Sequence, residues 1–268
     1  MAEIVLPGAC REIVAEIAGV AGYLWERGWA ECNGGNITVD VTDFMPRGLS
    51  RRQKFPRVSL PISQAELAGR SFLVKVGGAC MRDLAQQPKR HLLLITITDD
   101  LAGYDILWGG EGSAEPTSEF ISHLKIHQHL RRHQMPQRVF LHTHPDHLIA
   151  LSHLKDYCQE EALNRLLFAM YPEVRIFLPE GIGVAPYRCP GSEALADVTL
   201  EALKDHRVVL WEKHGCAAIA EGVPEAFDLV DIVDKAARLF FICKGAHYEP
   251  QGLSREQLGE IDRKFHRR

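Results

Sequence analysis

Two histidines follow one apolar run, and a third histidine follows another apolar run far downstream. His142 and His144 end the segment 138–144 (RVFLHTH), and His214 follows the run 208–213 (VVLWEK). Because successive side chains of a strand point to opposite faces, His142 and His144 project from the same face. Three imidazoles suit one zinc ion that keeps an open position for water or substrate, as catalytic sites do. The alternative is that these histidines are polar caps on strand ends.

A carboxylate that could act as a general base follows the pair Thr117-Ser118. Glu119 lies in the first turn of a predicted helix, where the helix dipole favours a negative charge, so capping is its ordinary explanation. If that helix start faces the three histidines, Glu119 is the nearest candidate base for a proton acidified by a metal. Most of the histidines in the stretch that contains His123, His127, His129 and His133 are expected to lie outside the site. His123 and His127, four residues apart, could in principle share a metal, but they are predicted to lie on a solvated helix face.

Three short segments could hold a small anion through uncharged donors. They are the turn Asn33-Gly-Gly-Asn36, the pair Gly77-Gly78, and Thr117-Ser118 at a helix start. Glycine lets backbone N–H groups approach a phosphate closely, and a helix N-terminus favours an anion. Each segment taken alone also matches an ordinary turn.

Composition indicates a sizeable core and no basic surface. The 268 residues are 46% hydrophobic, and we predict a single domain over residues 1–268. A net charge of −4 without a basic tail argues against nucleic acid as a partner. The apolar segments are too short to span a membrane and the N-terminus lacks signal-peptide features, so we expect a cytoplasmic protein. The seven cysteines are scattered without a C-x-x-C pair and are predicted to be reduced thiols.

The N-terminal half is predicted to contribute mainly strands. Apolar residues at helical spacing predict an opening helix over 10–27. Short strands are expected after it at 37–41, 72–76, 92–97 and 104–108. With no long helix between them, these neighbours favour antiparallel pairing. The segment 43–58 is rich in Arg and Pro and is predicted to be an irregular surface insertion.

The C-terminal half is predicted to contribute most of the helices. A helix is expected from about residue 116, followed by a strand at 139–141. Further helices are expected near 146–155, 160–170, 192–205 and 224–244, with strands near 175–178 and 208–211. This order predicts an α/β protein of the α+β type with three layers, in which a mostly antiparallel central sheet is flanked by helices.

The order of these motifs resembles the class II aldolase and adducin family. N-G-G-N, Gly-Gly, P-T-S-E, H-x-H after a strand, and H-G follow one another as they do in that family. The resemblance extends nearly end to end through 28–33 (GWAECN), 103–109 (GYDILWG) and 177–183 (FLPEGIG). One segment departs from the pattern: the family's phosphate loop commonly reads Gly-Ser-Gly or Gly-Thr-Gly, whereas 76–79 (VGGA) lacks the hydroxyl donor.

This resemblance implies a metal-dependent aldolase that acts on a sugar phosphate. His142, His144 and His214 would bind one Zn²⁺ per subunit, and Glu119 would act as the catalytic acid and base. Glu173 resembles an acidic position that reaches the aldehyde side of a neighbouring subunit's site. The positions that would hold the phosphate are Asn33, Asn36, Gly77, Gly78, Thr117 and Ser118. The family also implies a homotetramer with fourfold symmetry.

Other functions stay open at this point. Residues 142–147 (HTHPDH) also spell H-x-H-x-D-H, the two-metal motif of the metallo-β-lactamase superfamily, which would make Asp146 and His147 ligands. The T-P-G-H-type segment expected downstream of that motif is not found. A non-catalytic scaffold is a further alternative, against which the complete set of histidines argues. Within the family, the alternatives are other sugar-phosphate aldolases, a pentose-phosphate epimerase and a dehydratase.

Overall fold

A nine-stranded sheet forms the centre of the computed structural model, which describes residues 3–46, 55–60, 62–110 and 114–266. The strands are β1 (Asn36–Asp40), β2 (Arg57–Ser59), β3 (Ser71–Lys75), β4 (Leu92–Ile97), β5 (Gly103–Gly109), β6 (Val139–Thr143), β7 (Gly183–Ala185), β8 (Val208–Trp211) and β9 (Gly215–Ala220). Their order across the sheet is β2-β5-β4-β3-β1-β6-β9-β8-β7. The pair β7–β8 is parallel and the other neighbouring pairs are antiparallel, which confirms the predicted sheet.

Helices cover both faces of this sheet. In the described part of the chain they are α1 (Gly8–Glu26), α2 (Met81–Gln86), α3 (Pro88–His91), α4 (Phe120–Arg132), α5 (Asp146–Ser152), α6 (Glu160–Met170), α7 (Pro172–Phe177), α8 (Glu193–Ala202), α9 (Val223–Gly245) and α10 (Arg255–Phe265). Strand β6 shows the division: Leu141 packs in the core shared with α1 and α9, whereas Phe140 packs in the core shared with α4 and α8. The predicted three-layer arrangement is therefore confirmed.

The strand register brings distant motifs to one end of the sheet. Asn36 of β1 lies opposite His142 of β6, and Thr143 lies opposite Cys216 of β9. Strands β8 and β9 are joined by a tight turn in which Trp211 pairs with Gly215, so His214 lies at the same end. Antiparallel pairing therefore gathers residues that are more than 170 positions apart in the sequence.

Two predicted elements are wrong. Residues 175–178, predicted as a strand, lie largely in α7, where Pro172 occupies the first turn that suits proline. The apolar run 176–178 has only three residues, which is too short for its periodicity to separate strand from helix. The segment 43–58 is not irregular throughout, because Arg57–Ser59 forms edge strand β2 and Arg57 pairs with Asp105 at 2.7 Å. Positions 47–54 of that segment lie outside the described residues.

The prediction that His123 and His127 lie on a solvated face of α4 is also wrong. His123 and His127 are 1% and 0% exposed, because this face of α4 packs on the sheet. Their Nδ1 and Nε2 atoms lie 3.0 Å and 2.7 Å from Thr38 Oγ1, so each ring has a polar partner beneath the helix. The later histidines of this stretch are more accessible, since His129 is half-buried and His133 is exposed. Histidine spacing alone does not indicate which side of the helix is covered.

Two smaller predictions concern the membrane and the thiols. No helix of the described residues is long and apolar enough to cross a bilayer. All seven cysteines are free thiols, as predicted. Burial raises the pKa of Cys10 to about 11, which keeps this thiol protonated.

Candidate active site

His142, His144 and His214 converge at one end of the sheet. A ring nitrogen of each lies within 4.8 Å of those of the other two. The Nε2 atoms of His142 and His144 are 3.2 Å apart. Trp211 packs against the ring of His142, with the ring centroids 4.2 Å apart. The structure thus places the three predicted ligands around one point, at which a single cation can be held.

Hydrogen bonds orient two of these rings. The Nδ1 atom of His142 lies 2.9 Å from the carbonyl oxygen of Cys216, and that of His144 lies 3.0 Å from Glu31 Oε1. Because both partners only accept, each Nδ1 carries the proton and each Nε2 keeps a lone pair. Metal-binding histidines commonly donate their second N–H in this way. Both rings are therefore prepared to bind through Nε2.

The electrostatic environment keeps the rings of His142 and His214 neutral. Burial holds the pKa of His142 well below its ordinary value, and the neighbouring His144 and His214 add to the effect. Burial also lowers the pKa of His214 to about 4. Its Nδ1 is buried and has no hydrogen-bond partner among the described residues. Neutral imidazoles with free lone pairs fit Zn²⁺, which favours nitrogen ligands in a tetrahedral set.

Two glycines are required by the close approach of the backbone to these rings. A Cβ atom on Gly34 would lie 2.9 Å from His144 Cε1, and one on Gly215 would lie 2.9 Å from His144 Cδ2. The Gly215 atom would also lie 2.5 Å from the carbonyl oxygen of Thr143. The glycines of the N-G-G-N and H-G motifs therefore leave room for His144 between the two loops.

Glu119 faces the same cleft. It is the N-cap residue of α4, but its side chain makes no capping hydrogen bond. Instead, Asn36 Nδ2 donates to Glu119 Oε2 at 2.5 Å. The capping explanation for Glu119 is therefore not what the structure shows. The carboxylate is held by a residue that itself lies opposite His142 in the sheet.

The cleft gathers most of the predicted phosphate positions. It is open, with an empty volume of about 490 Å³. Its walls bring together the three histidines, Glu119 and the predicted polar residues Asn33, Asn36, Gly78, Thr117 and Ser118. Three segments that each look like an ordinary turn in the sequence thus meet at one place.

Two predicted residues lie elsewhere. Gly77 is not among the residues that line the cleft, and its N–H donates to the carbonyl oxygen of Glu115 at 2.9 Å. Glu173 is on α7, away from the cleft of its own chain. Its Oε2 atom is buried and has no hydrogen-bond partner among the described residues.

Lys75 and Glu31 belong to the site, although the sequence motifs do not predict either of them. Lys75 ends β3 and lines the cleft, and Glu31 pairs with His144. A signal for Lys75 was present, because a charged residue interrupts the apolar run 72–76 directly before Gly77. Glu31 carries no such signal, since it is one exposed carboxylate in a loop.

The two-metal alternative is not supported by the geometry. Both the backbone N and the Nδ1 of His147 bond to the carboxylate of Asp234, at 3.1 Å and 2.8 Å. In the described part of the chain, the group of side chains that could hold a metal contains the three histidines without Asp146 or His147. Residue Asp146 begins helix α5, so these two residues belong to a helix start.

The fold and the site together define a class II aldolase, a carbon–carbon lyase. Residues 15–241 match the Class II Aldolase and Adducin N-terminal domain, and the chain belongs to that family.

Individual aldolases are similar to this chain in sequence and in structure. The chain is 40% identical over 260 residues to a rhamnulose-1-phosphate aldolase of Bacteroides thetaiotaomicron, covering 97% of this chain and 96% of the relative. It is 32% identical over 247 residues to one from Yersinia pseudotuberculosis, covering 90% and 89%. A sugar-phosphate aldolase structure from Thermotoga maritima is 33% identical with a TM-score of 0.76, covering 91% of this chain and 100% of that one. An L-fuculose 1-phosphate aldolase, 19% identical with a TM-score of 0.61 and covering 96% and 97%, shares the fold.

Proposed function

We propose that this chain is a zinc-dependent aldolase that cleaves L-rhamnulose 1-phosphate into dihydroxyacetone phosphate and L-lactaldehyde. The observation that carries the proposal is the convergence of three imidazoles and Glu119 in one cleft. The names of the curated relatives support the choice of sugar.

In this proposal His142, His144 and His214 hold one Zn²⁺ per chain. Two of the rings present Nε2 because their Nδ1 atoms are engaged by Cys216 and Glu31. When bound, the ion supplies a Lewis acid that stabilises the negative charge left on the ketone fragment when the C3–C4 bond breaks. No lysine Schiff base is needed.

Glu119 moves the proton in this proposal. In the cleavage direction the C4 hydroxyl loses its proton as the C3–C4 bond breaks and the aldehyde forms, and the carboxyl group of Glu119 delivers a proton to C3 of the ketone fragment. The proton released from C4 balances the one that Glu119 gives up, and in the synthesis direction Glu119 removes the C3 proton. Asn36 orients the carboxylate by donating to Oε2, which leaves Oε1 to face the substrate. An acid that is held in position before substrate arrives needs little reorganisation during the reaction.

The phosphate is proposed to bind among Asn33, Asn36, Gly78, Thr117 and Ser118. These residues line the cleft and supply side-chain and backbone donors. Gly77 supports the loop, because its own N–H is used by Glu115. Glu173 is proposed to reach the aldehyde side of a neighbouring subunit's site in a cytoplasmic homotetramer.

The test is cleavage by metal-replete protein, followed by detection of dihydroxyacetone phosphate. L-rhamnulose 1-phosphate, L-fuculose 1-phosphate and L-ribulose 5-phosphate are assayed side by side, with and without a chelator. We expect a clear preference for the first and loss of activity with chelator. Cleavage of only one of the other two sugars would keep the aldolase reaction but assign a different substrate. Absence of cleavage of all three sugars would refute the proposal.

A further inference from the structure

One lysine is buried in the wall of the cleft. Lys75 is 2% exposed and ends strand β3, which lies inside the sheet between β1 and β4. Among the described residues that line the cleft it is the one lysine or arginine. The remaining lining groups are histidines, one carboxylate, and neutral donors. The ammonium group therefore supplies the fixed positive charge of this wall.

Hydrogen bonds hold Lys75 between two of the predicted anion-binding segments, the N-G-G-N turn and Thr117-Ser118. Its Nζ donates to the carbonyl oxygen of Asn33 at 3.2 Å, on one side. On the other side, the N–H of Thr117 donates to the carbonyl oxygen of Lys75 at 2.9 Å. The next residue, Val76, forms a bridge with Pro116. The end of β3 is thus fastened to both turns that carry the proposed phosphate donors.

The charge of Lys75 is incompletely compensated. No ion pair in the described part of the chain includes Lys75, and the bond to Asn33 uses one of its three N–H donors. Burial lowers its pKa to about 8, while the electrostatic influence of Cys80 and Glu119 opposes that effect. A desolvated ammonium group with unused donors is unfavourable unless an anion joins it. Such a group is prepared to receive a ligand of negative charge.

The neighbouring loop gives a reason for a charged donor at this position. The pair Gly77-Gly78 has no hydroxyl group, and the N–H of Gly77 is already engaged by Glu115. The loop therefore offers a bound phosphate few donors of its own. Lys75 lies two residues before Gly77 in the sequence, and it lines the cleft together with Gly78.

We infer that Lys75 Nζ binds the phosphate group of the substrate through a charge-assisted hydrogen bond. This inference rests on the proposed function, because it takes the phosphate of a sugar phosphate as the ligand. Phosphate oxygens accept strongly from an ammonium group, and a partly desolvated site strengthens the contact. Lys75 thereby selects phosphorylated sugars over free sugars.

The competing role for Lys75 is purely structural. In that role its Nζ serves only to hold the carbonyl oxygen of Asn33 and thus the N-G-G-N turn. The two roles respond differently to removal of the charge. Loss of a structural contact lowers stability without phosphate, whereas loss of a phosphate contact leaves the empty protein as stable as before or more stable.

The test is calorimetric titration of inorganic phosphate into the zinc-loaded full chain. Wild type is compared with Lys75→Met, which keeps the length of the side chain, and with Lys75→Gln, which keeps a donor for Asn33. Lys89→Met is the matched control, because Lys89 is 63% exposed on α3 and pairs with Glu3. Melting temperatures with and without phosphate are measured for each variant.

We expect both Lys75 variants to bind phosphate about 10- to 100-fold more weakly, as for loss of a hydrogen bond to a charged group. The KM for the sugar phosphate should rise by a similar factor, while kcat changes by only a few fold. Lys89→Met should match wild type. The melting temperature of Lys75→Met without phosphate should not fall.

Two results would overturn the inference. One is wild-type phosphate affinity in Lys75→Met, and the other is full recovery of that affinity in Lys75→Gln, which would identify a structural contact to Asn33. Failure of the aldolase proposal is distinguishable from either result. In that case the protein cleaves no sugar phosphate, yet phosphate binding still depends on Lys75.

Discussion

At the scale of single residues, the site works through groups whose protonation is fixed before a ligand binds. The Nδ1 atoms of His142 and His144 each donate to an oxygen that can only accept, the carbonyl oxygen of Cys216 and the carboxylate of Glu31. Glu119 is fixed by Asn36 rather than used as a helix cap. In each case a neighbour that the sequence places far away determines the chemistry of the side chain.

A first prediction concerns Glu119→Gln, which removes the acid and base but keeps a similar shape. We expect kcat for cleavage to fall about 10²- to 10⁴-fold, the usual contribution of a positioned acid or base. Zinc content should stay at the wild-type level, because Glu119 is not part of the histidine set. Steady-state kinetics with metal analysis checks this. Unchanged kcat in a zinc-loaded variant would exclude Glu119 from proton transfer.

A second prediction concerns the buried His127 and the pH dependence of stability. Burial lowers its pKa to about 4; the nearby Asp40 opposes this shift, and Arg131 and Arg70 reinforce it. The unfolded value is about 6.5, so between pH 6.5 and 4 the unfolded chain takes up a proton that the folded chain does not. The free energy of unfolding therefore falls as pH falls through that window. Below about pH 4 this group causes no further loss.

The check is urea unfolding of wild type and His127→Gln across pH 4 to 7. Glutamine keeps a polar group for Thr38 but does not titrate. The shift of about 2.5 units corresponds to about 3 kcal/mol, by which wild type should lose more stability than the variant over this range. Metal content is kept equal in both proteins. Parallel curves for the two proteins would show that His127 does not titrate as its burial implies.

At the scale of elements, the strand ends and the two glycine turns set the position of His144. Gly34 precedes β1 and Gly215 begins β9, and both approach the imidazole from different sides. The antiparallel pairing of β6 with β1 and β9 makes that approach possible. Metal affinity is therefore a property of the sheet as well as of the three ligands.

A third prediction concerns Gly215→Ala. The added Cβ would lie 2.5 Å from the Thr143 carbonyl oxygen and 2.9 Å from His144 Cδ2, so the turn or the ring must move. We expect at least about a 10-fold loss of zinc affinity, as for other changes that disturb ligand orientation. Gly19→Ala, at a helical position with nothing within 4 Å of the added atom, is the control. Equal zinc affinity in both variants would show that the turn does not position His144.

The sequence predicted most elements because their patterns are local. The helix Gly8–Glu26 and the strand Leu92–Ile97 follow apolar spacing closely. The segment 175–178 was predicted as a strand because a short apolar run has no clear period. It forms part of a helix instead, which begins at Pro172. The burial of His123 depends on the covering sheet, which local spacing does not report.

Most residues of the candidate site were also predictable, but from the spacing and order of motifs and not from apolar patterns. Histidine spacing and the order of the turns were enough to indicate the three ligands and Glu119. Lys75 and Glu31 were not predicted, because each acts through a contact with a turn or loop distant in the sequence. Such contacts follow from the strand register and not from any motif.

At the scale of the whole molecule, the proposed role of Glu173 would connect the site to the assembly of subunits. Glu173 lies on α7, outside the cleft of its own chain, and its buried Oε2 has no partner among the described residues. An arrangement in which Glu173 enters a neighbouring subunit's site would give that oxygen a role. The predicted homotetramer and the predicted role of Glu173 are thus a single hypothesis.

A fourth prediction concerns sites shared between subunits. Glu119→Gln and Glu173→Gln chains should each be weakly active alone, because each lacks one carboxylate in every site. Co-refolded or exchanged mixtures should recover activity, since some sites then combine Glu119 of one chain with Glu173 of the other. The measurement is cleavage rate against mixing ratio. A rate that only averages the two variants would show that the carboxylates do not act across subunits.

The proposed zinc centre is tested most sharply by zinc titration of chelated full-length protein, with cleavage of L-rhamnulose 1-phosphate followed throughout. We expect activity to be absent without metal, to rise in proportion to added zinc, and to reach a plateau at one equivalent per chain. His144→Ala should show no such rise. Activity that survives complete removal of metal, or that needs two equivalents, would contradict a single three-histidine zinc centre.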